Sequence, residues 1–508
     1  MTDLKPIQAE THRPFVLIVC HSLTGHLSPL IRIATALHAL GWETFFLGPT
    51  AHRRGIEATG AVFLPLREDA DLDDKAYYEN PPFPEYAALH WADRVLVDLR
   101  KQCLDPLPTQ WSCFVDALRV LQTRDPERKI ILLAEAFFYG TLPLFYGASL
   151  PHDLKLEEIL LGSLCVSVTI PAIRSVDLPP AGYPFPFDSS PDGRVRNANL
   201  WERSWERKTS YLAALLVTKM REAGADRCVD EIFLSGANYL CHDTILQLGV
   251  PGFEYPRSDW PPGFKFAGLV QGPPPSCKSG EQPSSPSPAP ARNNKTPNFP
   301  WWSELTFNTA LSTLLPSDPR RAAKKKVIVV AQGTVEINPY DLIVPTLRAF
   351  ANRSDVLVVA ILGWKDANLS SYGVDIEIPV NARIANYLSY DAALAHANVW
   401  IHNAGFGAVN HGIANGVPMV VAGEGMDKTE NSRRVAWSGI GIDLGCAKPS
   451  VEQVRGGVER VLEDERFTER VRELRKQSQE INCFDMVHSE LVRIMKTRPG
   501  IKQRGLES

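Results

Sequence analysis

The sequence predicts an α/β fold made of two Rossmann-like halves. Continuous apolar runs rich in β-branched residues alternate with stretches of helical periodicity, the pattern of strands buried on both faces of a parallel sheet. The alternation occurs twice, over residues 15–47 and again over residues 327–422. A segment rich in Pro, Ser, Lys and Asn separates the two occurrences.

Residues 1–13 are expected as a flexible N-terminus, followed by a first domain at 14–270. Residues 15–20 (FVLIVC), bounded by Pro14 and a turn at Ser22 and Gly25, read as a strand. Leu30, Ile33, Ala34, Leu37 and Leu40 then fall at helical spacing and stop at Gly41. Residues 44–47 (TFFL) supply the next strand and complete a βαβ unit. A strand at 62–66 leads into an acidic loop, and residues 130–138 (IILLAEAFF) hold another strand whose one charge is Glu135.

Residues 271–298, built around PPPSCKSGEQPSSPSPAPARNNK, lack the apolar surface to offset the entropy of ordering and are expected as a disordered linker. The second domain, 299–480, repeats the alternation. A strand at 327–331 precedes a helix from about 341 and a strand at 356–361; a strand at 399–401 precedes a glycine-bearing turn, a helix and a strand at 418–422. Residues 471–495 are patterned as helix and fit against either half, so 481–508 is set apart as a C-terminal helix and tail.

The chain has 508 residues, 44% hydrophobic and 22% charged, enough for two large domains without a disulfide or metal staple. A net charge of −4 argues against nucleic acid or an anionic membrane as partner. The basic run at 320–326 directly precedes a core strand and reads as a solvated turn. Nine scattered cysteines with no CxxC suit a reducing compartment. The first residues carry no secretory apolar core, and the apolar stretch at 130–149 is broken by Glu135, two glycines and Pro143. No membrane span is expected, and the location is read as cytoplasmic.

The candidate chemistry lies at strand ends and in the turns that follow them. His26, in the strand-to-helix turn HSLTGHLSP, stands where α/β proteins bind ligands and titrates near neutrality, as a general base must; a histidine there can equally cap or fill the turn. Glu135, at the C-terminal end of its strand, can face His26 and orient its ring, or form a structural ion pair. The segment 402–412 (HNAGFGAVNHG) opens a helix whose N–H groups can hold phosphate. It is not GxGxxG, because position 410 is Asn, so a dinucleotide site is disfavoured. Downstream, residues 424–431 (EGMDKTEN) offer carboxylates and amides to sugar hydroxyls, or form a surface loop. Gln332, Gly333 and Thr334 face the same crevice.

In this order the motifs resemble the UDP-glycosyltransferase family, a GT-B fold with two domains facing each other across a cleft, from about residue 14 to 476. Gly25, His26 and Pro29 resemble its catalytic turn. Residues 381–387 (NARIANY), Gly416-Val417-Pro418 and Asp427-Lys428-x-x-Asn431 resemble its donor signature. The resemblance implies that His26 deprotonates an acceptor hydroxyl with Glu135, where the family usually has Asp, as its partner. It implies that Tyr387 stacks on uracil, that Thr334, Gly405 and Gly407 surround the diphosphate, and that Asp427 and Lys428 contact sugar hydroxyls. Asn403 falls on the family's phosphate-binding His, His411 on its ribose-binding Glu, and Lys428 on its Gln; this variant pattern resembles that of fungal and some bacterial members.

The function implied is inverting transfer of a sugar, glucose first, from a UDP-sugar to a hydroxyl of a small, largely apolar acceptor of phenolic, polyketide, flavonoid or sterol-like kind, with no cofactor and no metal. Residues 77–86 and 182–187, aromatic and proline-rich, suit such an acceptor or simply anchor loops. The competing readings are a non-catalytic nucleotide-sugar sensor, a GT-B nucleotide-sugar epimerase, and a metal-dependent glycosyltransferase of another fold. The last would use the DxD spacing in residues 68–74, which is read here as a solvated loop.

Overall fold

Every residue of the run Phe15–Val19 is fully buried, and its odd and even side chains feed different cores. Phe15, Leu17 and Val19 join Phe114 and Leu118 of the helix Leu107–Arg124, while Val16 and Ile18 join Leu30, Ile33 and Leu37 of α1 (Thr24–Ala39). A strand covered on both sides cannot alternate apolar with polar residues, which is why the sequence pattern is continuous. The computed structural model describes residues 13–155, 159–183, 185–204, 209–227, 233–271, 299–333, 338–363, 367–373 and 375–498. Of the expected flexible segments, residues 1–12, 272–298 and 499–508 lie outside the described residues.

The first sheet contains β1 (Phe15–Val19), β2 (Thr44–Gly48), β3 (Val62–Pro65), β4 (Ile130–Glu135), β5 (Leu160–Ser167), β6 (Thr244–Gln247) and β7 (Phe264–Phe266), ordered β3-β2-β1-β4-β5-β6-β7 and parallel throughout. The second contains β8 (Lys326–Ala331), β9 (Val356–Ile361), β10 (Ala382–Ala385), β11 (Val399–His402), β12 (Met419–Val421) and β13 (Gly441–Asp443), ordered β10-β9-β8-β11-β12-β13, again all parallel. Both orders run outward from the first strand one way and then resume on its other side. Each sheet therefore has a switch point, β1/β4 in one and β8/β11 in the other, and ligands of such sheets bind at the C-terminal strand ends there.

The helical pattern at 471–495 resolves into parts of two helices serving different halves. Val471 and Leu474 of the helix Glu465–Glu480 pack in the core of the second sheet. Asn482 caps the next helix, Cys483–Thr497, by accepting from the amides of Phe484 and Asp485. That helix returns to the first sheet, where Phe484, Val487, Leu491 and Ile494 pack beside Val16 and Ile18. The indole of Trp42 donates to His488 at 2.9 Å, and Glu490 accepts from Lys265 and Thr244.

The halves are also joined beside the cleft. Arg434, on the helix Lys428–Trp437, donates to both oxygens of Glu254 at 2.9 Å, with 4% and 5% of the two side chains exposed. Burial opposes the charge of Arg434, but Glu254 and Glu430 outweigh it and raise its pKa. Glu430 accepts from the amide of Gly182, and Arg433 donates to the carbonyl of Tyr183. Gly182 and Tyr183 are thus anchored on the second domain, while Phe187 stacks on Tyr255 of the first at 5.7 Å.

Candidate active site

At the β1/β4 switch point, α1 begins immediately after a short turn. Pro29, inside the helix, has no N–H to bond the carbonyl of Gly25. His26 lies in the helix's first turn, and β4 ends on Glu135, so parallel pairing of β1 with β4 brings the two side chains together. Nδ1 of His26 is 2.9 Å from Oε1 of Glu135, with His26 18% exposed and Glu135 fully buried. A carboxylate can only accept, so Nδ1 carries the proton and Nε2 keeps its lone pair. Oε1 also accepts from the amide of Phe137, and Oε2 has no partner among the described residues. Burial lowers the His26 pKa, but the charge and hydrogen bond of Glu135, with Asp427 and Asp74 behind them, raise it above the usual histidine value. The rings of Phe137 and His21 stand edge-on to His26, each 5.4 Å away.

The acidic loop is not simply solvated, which corrects the sequence reading. Asp71 accepts from the amide and hydroxyl of Thr50, and Asp73 caps a short helix. Asp74 is buried and accepts from the amide and hydroxyl of Thr24, the first residue of α1. Asp74, next to the DxD spacing, thus holds the start of the His26 turn. In the aromatic segment 77–86, the hydroxyls of Tyr77 and Tyr86 both donate to buried Asp98, at 2.9 and 2.7 Å. Burial raises the Asp98 pKa, opposed by those two bonds and by the charges of Arg94 and Lys428.

At the β8/β11 switch point the loops bear glycines. Thr334 lies outside the described residues. Gly333 takes φ +81°, a conformation that side chains rarely adopt. Asn403 donates from Nδ2 to the carbonyl of Gln332, tying the two loops, and its Oδ1 lies 3.9 Å from where a Cβ would stand on either Gly333 or Gly405. Ala404 is held at φ +59°, sparsely populated for a non-glycine residue. Gly405 begins the helix Phe406–Asn415 without a side-chain cap, and Gly407 has nothing within 4 Å of its Cβ position. His402 turns inward: its ring stacks on Trp400, Nδ1 accepts from the amide of Ala404, and burial followed by the charge of His411 pulls its pKa down to about 3.

His411, on the same helix, bonds through Nδ1 to Asp391 at 2.8 Å, and Asn415 bonds the same oxygen. Burial works against the Asp391 charge, but those bonds and the charges of His411 and Arg32 hold its pKa at about 2. Tyr387, 56% exposed, follows β10 at the sheet edge. Asp427 and buried Lys428 begin the helix after β12, where Oδ2 of Asp427 accepts from Asn431 at 3.0 Å and from Thr169 of the first domain at 2.7 Å. Asp74, Asp391 and Thr169 escaped the sequence reading: each acts through a contact far along the chain that no local pattern announces. Glu135 was visible because a lone charge in an apolar strand must have a partner.

Among the described residues, no three His, Cys, Asp or Glu side chains cluster so as to hold a metal ion, and no helix is long and apolar enough to cross a membrane. Residues 358–493 match the family described as "Erythromycin biosynthesis protein CIII-like, C-terminal domain". The chain is 31% identical to UDP-glucosyltransferase 1 of Beauveria bassiana (strain ARSEF 2860), an alignment covering 92% of this chain and 93% of that protein. It is 30% identical to UDP-glycosyltransferase 2 of Phaeomoniella chlamydospora, over 94% and 95% of the two chains. The fold matches the crystal structure of the glycotransferase of kitacinnamycin with a TM-score of 0.60 at 17% identity, covering 95% of this chain and 99% of that one. The two facing Rossmann-like domains are a GT-B fold.

Proposed function

From the premise that the chain belongs to the UDP-glycosyltransferase family, we propose that it inverts configuration as it moves glucose from UDP-glucose to a hydroxyl of a small apolar acceptor, with His26 as general base. The observation that carries this reading is the His26–Glu135 pair at 2.9 Å, set at one switch point while an uncapped helix N-terminus stands at the other.

Nε2 of His26 takes the acceptor proton as the acceptor oxygen bonds to the anomeric carbon, and the bond from that carbon to the diphosphate oxygen breaks on the opposite face. The positive charge that develops on His26 is balanced by Glu135, already bonded to Nδ1. The departing diphosphate meets the N–H groups and the positive dipole end of the helix Phe406–Asn415. Tyr387 offers an exposed ring to the uracil, Asn403, Gly405 and Gly407 border the diphosphate with Thr334, His411 serves the ribose, and Asp427 and Lys428 serve the sugar hydroxyls. Phe137, beside His26, gives the acceptor an aromatic wall. The scheme routes no step through a metal.

The test is UDP release from UDP-glucose with phenolic, flavonoid and sterol acceptors, with and without EDTA. Acceptor-dependent release that survives EDTA and yields the inverted (β) glucoside is the expected result. Release that requires a divalent cation, or a product of retained configuration, would overturn the scheme.

A further inference from the structure

The carboxylate of Asp427 is completed by the opposite domain. Its Oδ2 accepts from Nδ2 of Asn431, one turn along its own helix, at 3.0 Å, and from Oγ1 of Thr169 at 2.7 Å. Asn431 also donates to the carbonyl of Ala404, the strained residue of the diphosphate turn, at 2.8 Å. Oδ1 of Asp427 has no partner among the described residues. Thr169 is 7% exposed and follows β5 in the first domain. Its carbonyl accepts from Nε2 of Gln247 at 2.7 Å and from Oγ of Ser167 at 3.1 Å, so the hydroxyl is presented from a pinned backbone.

We propose that Thr169 is a positioning residue for the donor sugar: its hydroxyl fixes the rotamer of Asp427 from across the cleft, so that Oδ1 meets the sugar hydroxyls. This rests on the reading of Asp427 as a sugar contact. A hydrogen bond to a charged group fixes direction as well as energy, and Asn431 alone leaves the carboxylate free to rotate about that one bond. Sugar recognition thus belongs to both domains, whereas the uracil and diphosphate belong to the second. The sugar contact forms only when the domains stand as they do here.

Calorimetric titration of UDP, UDP-glucose and UDP-galactose into wild type, Thr169→Val, Thr169→Ser, Asp427→Ala and the Thr169→Val/Asp427→Ala double variant tests this without an acceptor. Thr169→Val is expected to weaken UDP-glucose about tenfold, the scale of one lost hydrogen bond to a charged group. Its affinity for UDP should be unchanged and its preference for glucose over galactose reduced, and Thr169→Ser should restore both. In the Asp427→Ala background the valine should have no further effect. If Thr169→Val weakens UDP as much as UDP-glucose, or still costs affinity beside Asp427→Ala, Thr169 is structural and the proposal fails. If Thr169→Val binds UDP-glucose like wild type while Asp427→Ala does not, the proposal fails and the sugar-contact reading stands. If Asp427→Ala itself leaves UDP-glucose binding intact, that reading falls first and takes the proposal with it.

Discussion

At the β1/β4 switch point the first amide of α1 already bonds a carboxylate, Asp74 at 2.8 Å, and the side chains around it are ionisable: His26, Glu135 and, behind them, Asp427. At the β8/β11 switch point the helix Phe406–Asn415 starts at a glycine with no side-chain cap, and its buried neighbours His402 and Asn403 are neutral at physiological pH. One strand order thus carries two kinds of loop. Where the helix end is satisfied internally, the loop holds a His–Glu pair of the kind proton transfer needs; where it is left uncapped, the loop leaves backbone N–H groups of the kind that bind anions. The comparison teaches that topology places a site, while the local caps decide what it accepts.

Breaking the proton-transfer side should have the largest effect. His26→Ala is expected to lower kcat/KM by about a thousandfold or more, within the range of lost general base catalysis, with UDP affinity unchanged, since His26 lies at the β1/β4 switch point and the helix Phe406–Asn415 at the other. A variant as active as wild type in a UDP-release assay would remove His26 from the mechanism. The joint between the domains ranks next. Glu254→Ala leaves Arg434 buried without its bidentate partner, and breaking a buried pair in this way costs about 3–5 kcal/mol. Urea unfolding should report that loss, and a stability equal to wild type would show that Glu430 alone satisfies Arg434.

Glu135→Gln sharpens the same comparison through pH. The base works only when neutral, and Glu135 raises the His26 pKa, so the acid limb of kcat/KM belongs above the ordinary histidine value in wild type. Glutamine removes the charge while keeping an acceptor oxygen. The pKa then falls, the limb moves to lower pH, and the plateau drops by about a hundredfold because the developing imidazolium is no longer balanced. A limb that stays in place would assign it to another group.

What could be read from the sequence follows from the range of each interaction. The strands of both sheets next to the switch points were legible because each is a short apolar run buried on both faces, as β1, β8 and β9 are. His26 and Glu135 were legible because each ends or follows such a run. Edge strands such as β7, three half-buried residues, carry no such pattern. The contacts of Asp74 with Thr24 and of Asp427 with Thr169 span 50 and 258 residues, and nothing in the local sequence of either partner encodes them. The break in the C-terminal helical pattern at Ile481 and Asn482 was hidden for another reason: both helices are amphipathic, and only the facing cores decide that they serve different sheets.

The smallest expected effect concerns the β8/β11 side, where His411 is proposed to serve the ribose. Nδ1 of His411 is committed to Asp391, itself held at about 2 against burial by bonds from His411 and Asn415 and by the charges of His411 and Arg32. Asp391 therefore stays ionised at any pH of interest and fixes the tautomer, so that in the proposed reading Nε2 of His411 is the nitrogen that meets the ribose. His411→Ala should raise KM for UDP-glucose by about tenfold, the worth of one polar contact to ligand, with kcat unchanged because the contact is equal in ground and transition states. Asp391→Asn should do the same to a lesser degree, since the bond survives without the charge. Discrimination between UDP and its 2′-deoxy analogue should shrink in both variants. Equal binding of the two nucleotides by wild type would mean that the ribose is held elsewhere, and that the Asp391–His411 pair only braces the helix Phe406–Asn415 against the one that carries Asp391.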